Sequence, residues 1–330
     1  SWPDESGDGP GDGPDLFRPF PAAWSSPGTP SLPAPQLGPE VAASLPGEGH
    51  ASLSLSSVLA GEWFEAKISR RGREWIFALV TLLVIAATFS RRPVLQDPAY
   101  NHFADDRAAF AVPYFLDVVS NLGLLVAGTM GLALLFGRRD AAAGRAFQHG
   151  PERWPYLVLF AGVALAALGS GYYHWAPSDG RLVWDRLPMT VVFMSLVSIT
   201  IAERIDLRLG QVLLTPLLAL GIASVVYWHF TELRRSGDLR VYLDVQYLSI
   251  VAVPILGVLF PSRYTHANEV YLVVAIYLIA KLFELADGAV YSLGHVMSGH
   301  TVKHLLAAWA CFRIVAMLRR RALRAPLART

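Results

Sequence analysis

Cysteine is nearly absent from this chain of 330 residues, in which Cys311 is the single example. One cysteine cannot form a disulfide within the chain, and it excludes a metal cluster held by several thiolates. Its position inside an apolar run favours a small packing residue. Any metal site predicted here must therefore use harder ligands, with imidazole and carboxylate foremost.

Charged residues are also scarce, at 16% of the chain against 53% hydrophobic residues, and the mean hydropathy is +0.39. The apolar residues occur in long blocks, which excludes an ordinary soluble protein and predicts an integral membrane protein. The formal net charge is only +2, and basic residues do not interleave with aromatic ones as in nucleic-acid-binding proteins. The expected partner is the lipid bilayer, and no nucleic acid is expected.

Residues 1–65 contain little apolar sequence and much proline, glycine and serine. Such a segment cannot bury enough apolar surface to offset the chain entropy lost on folding, so it is predicted to be a disordered tail. It also lacks the basic start and compact apolar core of a signal peptide.

Eight apolar runs predict an all-α, polytopic transmembrane helix bundle. They comprise one extra N-terminal span within 66–92 and a seven-helix core over 93–318, followed by a basic cytoplasmic tail over 319–330. The runs lie near 75–89, 113–136, 155–175, 187–203, 211–229, 241–260, 269–286 and 298–318. Arginine and lysine are more frequent in the loops on the side of both chain ends, which predicts cytoplasmic termini.

The head of the last run contains His300 and His304, four residues apart. On a helix this spacing places both imidazoles on one face, where they can bind one metal ion. Ionisable side chains within a membrane are costly and are usually functional. The nearby His295 lies outside this spacing, in the preceding loop, and is predicted to be an interface residue.

Two other polar places are predicted on the same side of the membrane. Ser170 and His174 share a helix face at the end of the third run, and Asp185 stands at the start of the fourth. Each also has a structural interpretation. Ser170 can bond to a helix carbonyl, His174 can be an interface residue, and Asp185 just before Pro188 can be a helix N-cap.

Lys281, Glu284 and Asp287 follow one face of the seventh run, where an internal ion pair is the favoured interpretation. The three histidines differ from them, because three imidazoles with an open fourth position are typical of a catalytic zinc site. Zinc fits best among common ions, and nickel, cobalt and iron remain open. The site is expected towards the outer side of the membrane.

The chain resembles the bacterial branch of the alkaline ceramidase family, within the intramembrane hydrolases that include adiponectin-type receptors. The resemblance is carried by Ser170-x-x-x-His174, by Asp185 eleven residues later and by His300-x-x-x-His304. Two further similar stretches are Phe103-Ala-Asp-Asp-Arg107, which leads into 113–121, and Ser298–His304. It covers roughly residues 95–318.

The resemblance implies that His174, His300 and His304 bind Zn²⁺, with Asp185 and Ser170 as catalytic neighbours. It implies hydrolysis of ceramide, or a similar acyl amide, to a fatty acid and a sphingoid base. Animal members also have an acidic calcium site, and the acids in the corresponding region here are Asp105, Asp106 and Asp117. Ca²⁺ is therefore a possible second ion.

Two other functions stay open. A related lipid amidase or esterase would keep all five site residues and differ in the shape of its cavity. A receptor-like membrane protein with a structural zinc would keep the histidines and would not need Asp185. The oligomeric state is not indicated by the sequence.

Overall fold

The computed structural model describes residues 54–137 and 146–324, and these residues form an all-helical bundle. The predicted tail therefore lies mostly outside the described residues, as do residues 325–330. The helices are α1 (Leu55–Leu59), α2 (Glu62–Lys67), α3 (Arg70–Phe89), α4 (Phe115–Val119), α5 (Leu122–Phe136), α6 (Arg153–Trp175), α7 (Asp179–Arg204), α8 (Leu207–Leu233), α9 (Arg240–Leu259), α10 (Glu269–Leu285), α11 (Asp287–Ser292) and α12 (Gly299–Arg320).

Six of these helices pack side by side in a closed ring. Following the ring, α5 packs on α6, α6 on α7, α7 on α9, α9 on α10, α10 on α12, and α12 on α5 again. Helix α8 packs against the outside of α7, and α3 packs against α9. The ring encloses a cavity of about 390 Å³, and all six helices contribute to its wall.

Seven segments in the described part of the chain are long and apolar enough to cross a membrane, which confirms an integral membrane protein by length and composition. They correspond to seven of the eight predicted runs. The run predicted at 269–286 forms α10, which has 17 residues and lies at the short end of the range for a spanning helix. Helix α3 is the least covered by protein, with 6% of its apolar window buried, as expected of a helix that faces lipid.

The loops of the bundle gather at its two ends. At one end, the carbonyl oxygen of Val94 accepts a hydrogen bond from the Leu239 amide, and the Asp287 carboxylate accepts one from the Ala104 amide. At the opposite end, Arg321 donates to Glu203 and to the carbonyl oxygen of Ala146. These loops, predicted to share a side, thus share an end of the bundle, and the side of the membrane that each end faces stays a prediction.

Three predicted boundaries differ from the structure. Residues 54–65 of the predicted tail contain α1 and most of α2, because Ser54 caps α1 and Tyr271 donates to Leu59. The predicted basic tail begins inside the fold, since α12 continues to Arg320 and Arg321 is buried. Helix α7 begins at Asp179, eight residues before the predicted run, and Pro188 lies within it.

Candidate metal centre

Three histidines from two helices meet inside the bundle. His174 lies in the last turn of α6, and His300 and His304 lie in the first two turns of α12. Their ring centroids form a nearly regular triangle with sides of 4.7, 4.8 and 4.9 Å. All three side chains are buried, with 1 to 4% of their surface exposed. The predicted ligand triad is thus brought together.

The start of α12 is held firmly by its neighbours. Ser298 is the N-cap and accepts a hydrogen bond from the Thr301 amide at 3.1 Å, while Asp287 accepts one from the His300 amide at 2.7 Å. These two acceptors satisfy amides that a helix N-terminus leaves free. A Cβ on Gly299 would lie 2.1 Å from the Phe283 carbonyl oxygen, so glycine allows α12 to approach α10 closely. The register of both histidines is fixed by this packing.

His304 is also oriented from the opposite side. Its Nδ1 lies 2.8 Å from the hydroxyl of Ser120, the residue that ends α4. Its Nε2 is buried and has no hydrogen-bond partner among the described residues. A ring nitrogen held by a neighbour while the other faces a common centre is the usual arrangement of a metal-binding histidine.

Phe103 covers the triad from the loop before α4. Its ring centroid lies 4.6 Å from that of His174 and 4.5 Å from that of His300. An aromatic ring at this distance excludes water from one side of the cluster and lowers the local dielectric constant. Phe103, the first residue of the stretch 103–107 that carries part of the family resemblance, therefore provides an apolar cover for the triad.

Ser170 and Asp185 meet where α6 and α7 approach most closely. A Cβ on Gly169 would lie 2.0 Å from the carbonyl oxygen of Trp184. Pro188 has no N–H to donate to that carbonyl, so the helix leaves it free to face α6. The residues that follow Gly169 and Trp184 are Ser170 and Asp185, and both side chains line the same cavity. Asp185 lies within α7, so its interpretation as an N-cap is wrong.

The cavity connects these groups, and its charged side chains are concentrated at one end, with the uncharged Gln246, Ser249 and Tyr277 elsewhere in the wall. The polar end includes Ser170, Asp185 and His304, and the rest of the wall is mainly apolar. Along α12 the lining continues from Lys303 to Ile314, about 16 Å at 1.5 Å per residue. An amphiphile with one polar group and an apolar chain matches this distribution.

Lys303 joins an ion network at the polar end. Its ammonium donates to Glu284 at 3.2 Å and lies 2.9 Å from Nε2 of His300, while Lys281 also pairs with Glu284. The predicted internal ion pair is therefore present, and Lys303 extends it. Asp287, the third acid of that set, caps α12 and takes no part in the pair. An ion bound at His300 would require Lys303 to keep Glu284 as its partner and release the imidazole.

The donor set fits a metal ion. The triad is the one group of three or more histidine, cysteine or acidic side chains in the described residues that can hold an ion, with its ligand atoms within 4.8 Å of one another. Nε2 of His174 lies 3.2 Å from Nε2 of His300. Two ligands about 2.0–2.1 Å from a tetrahedral ion lie about 3.3 Å apart, so this pair already has a suitable separation.

The three acids considered for calcium have separate surroundings. The Arg107 guanidinium donates twice to Asp105, both times at 2.7 Å, and holds the pKa of that carboxyl below its usual range. Asp117 is buried and accepts from Thr301 at 2.6 Å, whereas Asp106 is exposed. Each thus has its own local environment, and a calcium ion stays a prediction.

Sequence reasoning missed two residues that touch the triad. Ser120 lies 184 positions before His304, and a serine at that separation carries no local signal of the contact. Lys303 does have a signal, because a lysine between two metal-binding histidines lies within a turn of both.

No model of a known protein family matches the chain, nor does any curated protein or solved structure. The family assignment therefore stays a prediction.

Proposed function

We propose that this protein is a zinc-dependent hydrolase that cleaves the amide bond of a lipid within the membrane. The observation that carries the proposal is the position of the three buried imidazoles, one of which, His304, lines a cavity whose wall is mainly apolar. A buried metal-binding triad with no access to lipid would suggest a structural role. Here the same cavity is lined by His304, a carboxylate and a hydroxyl.

His174, His300 and His304 would hold the ion. When bound, zinc supplies a Lewis acid that polarises a carbonyl group and lowers the pKa of water towards about 7. The chain would supply three nitrogen ligands, and water or the substrate would take the fourth position, an arrangement typical of catalytic rather than structural zinc sites.

Asp185 would act as the general base and then as the general acid. Its carboxylate oxygen takes a proton from the attacking water and delivers it to the nitrogen of the departing amine. Asp185 is 8% exposed, and its cavity position next to Ser170 gives it direct access to a bound amide. Because one group carries the proton in both steps, the proton is not released to bulk water.

Ser170 would stabilise the oxyanion. Its hydroxyl can donate to the carbonyl oxygen of the substrate as negative charge develops there, and removal of one such donor in other enzymes costs about 10²–10³ in kcat. The side chain is 4% exposed and is anchored by α6, so little rearrangement is needed during the reaction.

The substrate is proposed from the resemblance to alkaline ceramidases together with the cavity. Ceramide has an amide between an acyl chain and a sphingoid base, so its polar part would occupy the end with Asp185 while a chain follows the apolar wall. Its hydrolysis gives a fatty acid and a sphingoid base, a step in sphingolipid metabolism. The metal site would face the outer side, with both termini cytoplasmic.

The test combines metal analysis with lipid turnover by the purified chain. Wild type should contain one zinc ion per chain and hydrolyse ceramide, His304→Ala should lose both, and Asp185→Asn should keep the metal and lose turnover. His295→Ala is the matched histidine control, since His295 is exposed and outside the triad. Full activity in Asp185→Asn, or metal-free wild type, would refute the mechanism. Stoichiometric metal without turnover of any ceramide, phospholipid or acyl amide would favour a receptor-like protein.

A further inference from the structure

Arg186 is a buried cation in the wall of the cavity, and it has no role in the reaction proposed above. It follows Asp185 in α7, is 4% exposed, and lines the polar end. It forms no ion pair within 4 Å anywhere in the described ranges, and this includes its neighbour Asp185. A charged group buried without an acidic partner is costly, so the site requires an explanation.

Three aromatic rings hold the guanidinium in place. Its central carbon lies 4.1 Å from the centroid of Trp228, 4.6 Å from that of Tyr242 and 5.5 Å from that of Tyr100. Such contacts stabilise a cation while leaving its N–H groups available in the plane of the guanidinium. The group is therefore rigid before any ligand binds.

Most of the hydrogen-bonding capacity of Arg186 is unused. Nη2 donates to the side-chain oxygen of Gln96 at 2.7 Å, whereas Nε and Nη1 are buried and have no hydrogen-bond partner among the residues that the structure describes. By contrast, the buried Arg204 donates to three backbone carbonyls, those of Gly257, Phe260 and Ala267. Arg73 and Arg321 each have one buried nitrogen without a partner, so Arg186, with two, has the most unused donors among the buried arginines of the described residues.

We propose that Arg186 binds an oxyanion on the headgroup of the lipid, a carboxylate, phosphate or sulfonate. The inference rests on the proposed function, and it predicts that the hydrolase prefers amide lipids whose amine portion carries an acidic group, with neutral ceramide as a poorer substrate. Neutral ceramide offers only hydroxyl groups to this guanidinium. Because Arg186 and Asp185 are adjacent at the polar end, an acidic group close to the amide reaches Arg186 while the amide lies at Asp185.

A binding measurement on the metal-stripped full-length chain tests the headgroup site without turnover. The probes share a sixteen-carbon chain and differ in the head: palmitate, hexadecyl phosphate and hexadecanol. In a neutral detergent we expect both anions to bind wild type at least about tenfold more tightly than the alcohol, since hydrogen bonds to charged groups are the stronger ones. The two anions distinguish a preferred carboxylate from a preferred phosphate.

Gln96→Glu is the decisive variant. It places a carboxylate where the Gln96 oxygen already lies 2.7 Å from Arg186, so the cation acquires an internal partner. We expect the variant to fold with unchanged or higher thermal stability and to lose the preference for anions. Arg186→Gln should lose the same preference. Arg313→Gln is the control, because Arg313 pairs with Glu269 and does not line the cavity.

Equal binding of palmitate and hexadecanol by wild type, or no binding of either, would overturn the proposal, as would a preference that survives in Gln96→Glu. Turnover separates it from the proposed function. Hydrolysis of acidic and neutral acyl amides at equal kcat/KM would refute the headgroup site and still support the hydrolase. Anion preference that depends on Arg186, without hydrolysis of any acyl amide, would support the anion-binding site and refute the hydrolase.

Discussion

The hydroxyl of Ser120 lies 2.8 Å from Nδ1 of His304, and this contact joins the end of α4 to the second turn of α12. The serine also contacts the backbone carbonyl of Asp117 at 3.1 Å, so its own position is fixed. It therefore determines which ring nitrogen of His304 faces the other two imidazoles. Loss of such a second partner of a metal-binding histidine typically lowers the metal affinity by about 10- to 100-fold.

Ser120→Ala should lower the affinity for zinc by about 10- to 100-fold while the chain stays folded. The reason is that His304 loses the partner that sets its tautomer and ring orientation. Competition with a chelator of known affinity gives the value. Ser224→Ala is the control, as Ser224 is also buried and its hydroxyl donates within its own helix, to the carbonyl oxygen of Gly221. An unchanged zinc affinity in Ser120→Ala would show that the contact does not orient the ligand.

Gly169→Ala should destabilise the protein and reduce turnover, whereas Gly171→Ala should do neither. A Cβ at Gly169 would lie 2.0 Å from a backbone oxygen that cannot rotate away, while one at Gly171 would meet nothing within 4 Å. Forcing apart packed helices costs about 1–3 kcal/mol, and here it also separates Ser170 from Asp185. Thermal unfolding of both variants in detergent, with turnover measured in parallel, checks the difference. Equal melting temperatures would contradict the close approach of α6 and α7.

The pairing of Asp105 with Arg107 predicts a pH-dependent contribution to stability. The pKa of Asp105 is lowered in the folded chain because Arg107 donates to its carboxylate, so the unfolded chain binds the proton more readily. The contribution is therefore present above the unfolded pKa of about 3.9 and is lost as the pH falls through the folded value. Asp105→Asn should lower the melting temperature at pH 7 and have little effect well below pH 4. Asp106→Asn, at an exposed carboxylate, is the control.

The two ends of the bundle should be accessible from opposite sides of the membrane. Ser178 lies at the end that carries the triad, and Arg320 lies at the other end; both side chains are exposed. Single cysteines at these positions, in a chain with Cys311 replaced, should react with an impermeant reagent from opposite sides. The chain without cysteine is the control for background. Labelling of both from one side would contradict the predicted topology.

Much of the helical framework follows from local sequence. A membrane offers no hydrogen bonds to the backbone, so an apolar run of about 20 residues has few alternatives to a helix. The triad was predictable in part for the same reason, because spacing of four residues places His300 and His304 on one face whatever lies around them. The start of α7 was predicted wrongly because Pro188, common in the first turn of soluble helices, lies inside this one.

The sequence by itself determined the helical membrane class and the residue types of the site, since both depend on hydropathy and on spacing within a single helix. Only the tertiary structure decided that Ser120 orients His304, that Phe103 covers the triad, and that Arg186 lies among three aromatic rings with donors to spare. These contacts join segments far apart in the chain. They depend on how close two helices approach, and that distance is set by side-chain packing at each crossing, which the periodicity of one helix does not specify.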